Sequence, residues 1–140
     1  MDDEKFKTLY KNLQNNISEI KNLIKKPKEL EMLKNQKLIE KLRYLFYSLT
    51  KSTVDIGHSI ILENDYRDPL NRTDIFISLA ERDIILSSVV PGVKKATLAL
   101  PKLNDYSVSE LLDIVSASVP DIHKCLDSFQ VYFQLKDKEL

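Results

Sequence analysis

Residues 43–64 read RYLFYSLTKSTVDIGHSIILEN, and this stretch decides the fold class. Its apolar side chains recur mostly at steps of three or four residues, which places them on one face of an α-helix. The pattern extends toward the N-terminus, so we predict one long helix over residues 29–63. The stripe comprises Leu38, Ile39, Leu42, Leu45, Phe46, Leu49, Thr53, Ile56 and Ile60. Because a helix that is apolar over a wide arc packs against several partners, we expect it to be the central helix of a bundle.

A glycine lies inside this predicted helix. Gly57 costs about 1 kcal/mol relative to alanine at such a position. A glycine also lets a neighbouring element approach the backbone closely. We therefore predict a close helix crossing at Gly57.

An N-terminal helix precedes the central one. Residues 6–24 carry apolar side chains at helical steps. Pro27 should end this helix, because the residue before a proline disfavours helical backbone angles.

The last helix is predicted over about residues 108–135. Ser107 and Glu110 match the capping box S-x-x-E at its start. Pro120 lies inside the pattern and should kink the helix or split it in two.

Two shorter segments lie between the long helices. Residues 74–82 predict a short helix, which Asn71 or Thr73 could cap. Residues 83–89 are a connector. The stretch 90–101, VPGVKKATLALP, predicts another short helix that starts at its first proline.

Composition supports a helical fold in one domain. The chain of 140 residues fits a single domain, 1–140. It contains only two glycines, and because tight hairpin turns depend on glycine, β-hairpin architectures are disfavoured. We therefore predict an all-α fold, a four- or five-helix antiparallel bundle.

Charge and cysteine usage bound the partners and the compartment. The formal net charge is zero, so no overall basic field attracts nucleic acid. Cys125 is the one cysteine, which excludes an intrachain disulfide and fits a reducing cytoplasm. The start MDDEKFK is too charged for a signal peptide, and no apolar run approaches the ~18 residues of a membrane span. We expect a cytoplasmic protein without a membrane partner.

Few residues indicate catalytic or metal chemistry. Asp55 and His58 share one helical face, but a closed zinc site takes about four ligands, and no others occur at matching spacing. We expect His58 to hydrogen-bond Asp55 or a backbone group inside the bundle, and we predict neither a metal nor a cofactor. Cys125 is expected to be a small core residue.

Two clusters are candidates for binding. Lys94 and Lys95 form a local positive pair, which is a candidate RNA or anion site. Tyr44, Phe46 and Tyr47 occur at helical spacing, which is more typical of core or interface residues than of a base-stacking platform.

The same residues carry a family resemblance. Residues 43–64 resemble the central helix of HepT-like proteins of the HEPN superfamily, with an aromatic-rich start, a D-x-x-H element at Asp55 and His58, and an aliphatic end. A polar loop with Pro69 follows, and then DIFISLAERDIIL at 74–86, which is similar to the next stretch of that family.

The resemblance implies a fold, partners and an activity. It covers roughly residues 30–135, which implies a HepT-like core over 29–135 behind an N-terminal helix over 1–27. In that family, an R-x(4–6)-H signature cleaves RNA without a metal. Its histidine serves as acid or base and its arginine as phosphate binder. The family also implies a homodimer, a minimal nucleotidyltransferase as partner, and a nucleotidylated tyrosine two positions after the histidine.

This chain departs from the family at the signature. Aligning GVKKATLALP with the family motif puts Gly92 on its glycine and Val93 on its phenylalanine. Lys94 then falls on the arginine, Ala99 on the histidine and Pro101 on the tyrosine. Lysine keeps the charge but loses the bidentate fork, and alanine cannot transfer a proton. Elsewhere, no arginine has a histidine five to seven residues after it.

Three interpretations follow from the sequence. The first is a HepT-like protein that has lost ribonuclease activity and is not an enzyme. It would act as a dimeric interaction or regulatory subunit, with a nucleotidyltransferase partner in a toxin–antitoxin-like system. The alternative is an active HEPN ribonuclease toxin that uses the displaced residues His58, Asp55 and Lys94. The third is a helical bundle unrelated to the HEPN superfamily.

Overall fold

The computed structural model describes residues 1–25, 31–32 and 34–139, and five α-helices of ten or more residues organise this part of the chain. No strand occurs within these ranges, which confirms the all-α class. Two short 3-10 turns flank the fourth helix. The helices are α1 (Asp3–Ile24), α2 (Gln36–Glu63), α3 (Arg72–Glu81), α4 (Val90–Ala99) and α5 (Val108–Glu139), and the turns are Ser87–Val89 and Leu100–Lys102.

Helix α2 is central, as predicted, because it contacts each of the other four helices. The prediction of one unbroken helix over residues 29–63 is wrong. Asn35 has an extended backbone, and its side-chain oxygen accepts the Lys37 N–H at 3.0 Å, so α2 begins at Gln36. Residues 29 and 30 and the predicted stop at Pro27 lie outside the described residues.

The predicted crossing at Gly57 is confirmed. A Cβ atom at this position would lie 3.0 Å from Ile75 Cγ2 and 3.2 Å from Leu79 Cδ1, both on α3. It would also lie 3.6 Å from Phe129 Cζ on α5. The missing side chain therefore lets α2 pack closely against two helices at once.

Side chains cap the helix starts as the sequence predicted. Ser107 and Glu110 form the capping box of α5: each backbone N–H is bound by the other's side chain, at 3.0 and 3.1 Å. Asn71 rather than Thr73 caps α3, because its side-chain oxygen accepts the Asp74 N–H at 2.9 Å.

Helix α5 runs past Pro120 as one element, so the predicted split is absent. The side chains on both sides of the proline are fully buried in the same core, including Val115 and Leu126. Packing on both sides stabilises a continuous helix at a position where proline removes a backbone hydrogen bond.

Helices α2 and α3 end in the same way. Asp65 and Asp83 have positive φ, 53° and 60°, directly after the last helical turn. In each case the following N–H bonds back across the turn, Tyr66 to the Ile61 carbonyl and Ile84 to the Leu79 carbonyl. This is the Schellman motif, with aspartate at the position where glycine is usual.

One continuous core joins the helices. Phe6 of α1 stacks on Phe133 of α5, with ring centroids 4.6 Å apart. Cys125 is fully buried, as predicted, and burial raises the pKa of its thiol.

Candidate functional site

Residues 90–99 of the stretch 90–101 form α4, and Pro91 lies in its first turn, as predicted. Its main packing partners are α5 and α3, and its contact with the central helix is smaller. The alignment with the family motif predicts that this segment faces the central helix, and this holds only in part.

Gly92 is needed for packing and not for an opening turn. Its φ is not positive. A Cβ atom there would lie 2.0 Å from Asp121 Oδ2 and 2.8 Å from Asp121 Cβ, so only glycine lets α4 lie this close to α5. The small residues Ala96 and Ala99 are also buried, at 0% and 1% exposure.

The opposite face of α4 points to solvent and carries neither a histidine nor a carboxylate. Its exposed residues are Pro91, Lys94, Lys95 and Leu98, followed by Pro101 in the next turn. The sequence predicts that Ala96, Leu98 and Leu100 fill the core, and this is wrong for Leu98, which is 58% exposed. Leu98 lies four residues after Lys94 and therefore shares its outward face.

Helices α3 and α4 enclose a groove of about 580 Å³, here called the α3–α4 groove. Its apolar lining is Leu70, Ile77, Leu98 and Pro101, and its polar lining is Asn71, Arg72, Thr73, Asp74, Lys94 and Thr97. The Thr73 and Thr97 hydroxyls hydrogen-bond each other at 3.0 Å and join the two helices.

Some charged side chains at this groove form an ion pair and others do not. Arg67 binds the Asp74 carboxylate at 2.6 and 2.9 Å, and this hydrogen-bonded pairing holds the pKa of Asp74 at about 2. Arg72 and Lys94 have no ion pair among the described residues, and Lys95 is exposed beside them. The solvent-facing charge of the groove is therefore positive.

The predicted catalytic candidates do not share this groove. Asp55 is exposed, and its carboxylate binds Lys51 at 2.6 Å on the same helix. His58 is also exposed, so the expectation that it bonds Asp55 or a backbone group inside the bundle is wrong. The D-x-x-H spacing places Asp55 and His58 on one face of α2, but that face points to solvent. Lys94 lines the α3–α4 groove, and neither Asp55 nor His58 does.

A second groove, the Tyr44–Tyr47 groove, lies where α2 meets the end of α4. It encloses about 440 Å³ and is lined by Glu40, Arg43, Tyr44, Tyr47, Leu100, Pro101, Leu103 and Asn104. Tyr44 and Tyr47 are 69% and 45% exposed, whereas Phe46 between them is fully buried. Within the aromatic cluster, Phe46 belongs to the core and the two tyrosines to the surface.

Sequence reasoning missed the residues that complete the α3–α4 groove. Leu70 is 87% exposed and Arg72 stands at the start of α3. A signal was present, because Leu70 is a lone leucine in the otherwise polar loop NDYRDPLNR. Its position opposite Leu98 depends on how α3 packs against α4, which periodicity does not report.

Neither a cluster of metal ligands nor a membrane-spanning helix occurs within the described ranges. No group of three or more His, Cys, Asp and Glu side chains is gathered there as a metal site would need. None of the helices in these ranges combines the length and apolarity required to cross a membrane.

Comparison with protein-family models, with curated proteins and with solved structures finds no match to this chain.

Proposed function

We propose that this chain is a HepT-like protein of the HEPN superfamily that has lost ribonuclease activity and acts as a dimeric interaction or regulatory subunit. Its partner in this proposal is a nucleotidyltransferase-type protein in a toxin–antitoxin-like system. One observation carries the proposal: the outward face of α4, which aligns with the family's catalytic helix, offers Lys94, Leu98 and Pro101 and neither a histidine nor a carboxylate.

The buried side of α4 supports the same interpretation. RNA cleavage by acid–base catalysis needs a positioned proton donor and acceptor. Ala99, which falls on the histidine of the family signature, is 1% exposed and packs in the core. In this proposal, position 99 keeps its packing role in the core and lacks the histidine that would transfer a proton.

The Tyr44–Tyr47 groove supports self-association. Tyrosine and arginine are enriched at protein interfaces and among the residues that dominate binding energy. Glu40 and Arg43 line the same groove with opposite charges. A two-fold axis can pair such a set with itself, because each copy offers what the other needs. The zero net charge of the chain also limits repulsion between copies.

Mass measurement by light scattering across micromolar concentrations tests the dimer. We expect a dimer for the unmodified chain and a monomer for Tyr44→Glu. The matched control is Leu62→Glu, because Leu62 lies on the same helix, is 61% exposed and lines neither groove. A monomeric unmodified chain contradicts this part of the proposal.

Incubation with labelled RNA tests the loss of activity. We expect no cleavage above a buffer blank. Cleavage that disappears in a folded His58→Ala variant would overturn the proposal and restore the alternative, a ribonuclease that uses displaced residues.

A further inference from the structure

The α3–α4 groove has the shape of a short docking channel. Thr73 at the start of α3 bonds Thr97 near the end of α4, so the two helices run antiparallel. At the other end, Ala80, Glu81, Ser87, Val90 and Pro91 border a second hollow of about 450 Å³, which shares Ile77 with the first. Both helices have ten residues, which corresponds to a length of about 15 Å. A helix of about three turns fits along this length.

The floor of the groove is apolar and exposed. Leu70, Leu98 and Ile77 line the groove and are 87%, 58% and 39% exposed. Large apolar side chains that converge on one concave surface are typical of a site that receives the apolar face of an amphipathic helix.

The rim of the groove is cationic. Arg72 and Lys94 line it and have no ion pair among the described residues. Asp74 is the one carboxylate in the lining of this groove, and Arg67 neutralises it. Glu81 borders only the second hollow, and its carboxylate lies 3.9 Å from the same arginine. Charge complementarity therefore favours an occupant with carboxylates on both sides of its apolar stripe.

The chemistry disfavours two other occupants. Single-stranded nucleic acid is bound partly through bases that stack on aromatic rings, and no aromatic residue is among the described residues that line the α3–α4 groove. A second copy seated here by a two-fold axis near Leu98 would bring Lys94 close to its own counterpart, because residues near the axis meet themselves.

We propose that the α3–α4 groove binds an acidic amphipathic helix of a partner protein. This inference rests on the proposed function, in which the chain acts as an interaction or regulatory subunit. Apolar anchors at helical steps of three or four occupy the space between Leu70, Ile77 and Leu98. Aspartate or glutamate beside these anchors pairs with Arg72 and Lys94. The partner thereby meets the exposed face of the helix that supplies catalysis in the resembling family.

Selection from a displayed peptide library tests the proposal. The probe is a library of helical peptides about three turns long with randomised surface positions, selected on the unmodified chain. We expect enriched sequences with apolar residues at i, i+3 or i+4 and i+7, flanked by Asp or Glu. Selection on Arg72→Glu with Lys94→Glu should instead enrich Lys and Arg at the flanking positions.

Binding measurements on a selected peptide locate the site. We expect Lys94→Glu and Leu98→Ser each to weaken binding roughly tenfold or more, and added salt to weaken it further. Lys11→Glu is the matched control, because Lys11 is an exposed lysine on α1, which lies apart from α3 and α4. The Lys11→Glu variant should bind the selected peptide with unchanged affinity.

Several outcomes overturn the inference. They are failure to select any peptide, enrichment of basic or uncharged sequences on the unmodified chain, and affinity that Leu98→Ser leaves intact. Dimerisation abolished by Leu98→Ser, or RNA binding abolished by Lys94→Glu, assigns the groove to another occupant. RNA cleavage by the unmodified chain defeats the proposed function instead, and it is measured separately from peptide binding.

Discussion

The Arg67 guanidinium donates two hydrogen bonds to the Asp74 carboxylate, Nη1 to Oδ2 at 2.6 Å and Nη2 to Oδ1 at 2.9 Å. The Leu70 N–H donates to the same carboxylate at 2.8 Å. The arginine, and after it the Leu70 N–H, hold the pKa of Asp74 at about 2. The pair joins the loop before α3 to the first turn of α3 and so positions Leu70 at the edge of the α3–α4 groove.

Stability should depend on this pair in acid. Because the pKa of Asp74 is lower in the folded chain than the ordinary value of about 3.9, the folded chain binds fewer protons in this range. The stabilisation is present above about pH 4 and is lost as the pH falls toward 2. We expect Arg67→Ala to lower the free energy of unfolding at neutral pH and to differ less from the unmodified chain in acid. Urea unfolding of both chains at neutral and at acidic pH, monitored by circular dichroism, measures these two differences.

Arg67→Lys is the control for geometry. Lysine keeps the charge but cannot form both hydrogen bonds, so it should recover only part of the lost stability. A difference between Arg67→Ala and the unmodified chain that stays constant from neutral pH to pH 2 would contradict the assignment to Asp74.

Local patterns predicted most of the helices correctly. The stripe of α2, the crossing at Gly57 and the capping box of Ser107 and Glu110 each depend on residues a few positions apart. Asn35 shows where such patterns fail, because the apolar stripe continues across it while its side chain caps a new helix start.

The sequence alone predicted less well which face of each short helix is buried. In α4 both faces contain apolar residues, and the buried face is the one with Gly92, Ala96 and Ala99, which allow close approach to α5. Leu98 is left outside for that reason. The direction of the face shared by Asp55 and His58 likewise depends on which side of α2 the other helices cover.

Replacing Asp83 by glycine should stabilise the chain. Asp83 has a φ of 60° at the end of α3, a conformation that costs a residue with a Cβ atom and costs glycine nothing. We expect Asp83→Gly to raise the free energy of unfolding by about 1 kcal/mol. Asp113→Gly, at an exposed position inside α5, should lower it by roughly 0.5–1 kcal/mol. Equal effects of the two substitutions would show that the conformation at Asp83 carries no cost.

Tyr10 of α1 donates its hydroxyl to Asp127 Oδ1 of α5 at 2.5 Å. Burial and then the Asp127 hydrogen bond raise the pKa of Tyr10 to about 12. The raised pKa means that its stabilising contribution is present below about pH 10 and is lost as the pH rises toward 12. We expect Asp127→Asn to shift the Tyr10 titration toward pH 10, measured by phenolate absorbance.

Tyr10→Phe identifies which titration belongs to this residue. It should remove one tyrosine transition at high pH and leave the other five tyrosines of the chain. If Asp127→Asn leaves the whole titration curve unchanged, the contact between α1 and α5 does not control the ionisation of Tyr10.

The last prediction concerns Gly92 in the stretch VPGVKKATLALP. Alanine there would place its Cβ 2.0 Å from Asp121 Oδ2, so α4 must move away from α5 or Asp121 must shift. We expect Gly92→Ala to cost roughly 1–3 kcal/mol of unfolding free energy. Gly57→Ala should cost less, because its neighbours are the ends of Ile75 and Leu79 side chains and because alanine gains about 1 kcal/mol in a helix interior.

A double variant shows that Asp121 is responsible. Asp121→Ala removes the carboxylate and leaves its Cβ, which would lie 2.8 Å from the new methyl group. Combined with Gly92→Ala, it should therefore recover part of the lost stability and not all of it, as measured by urea unfolding. Full additivity of the two substitutions would mean that they do not interact, and the close packing of α4 on α5 would then need another explanation.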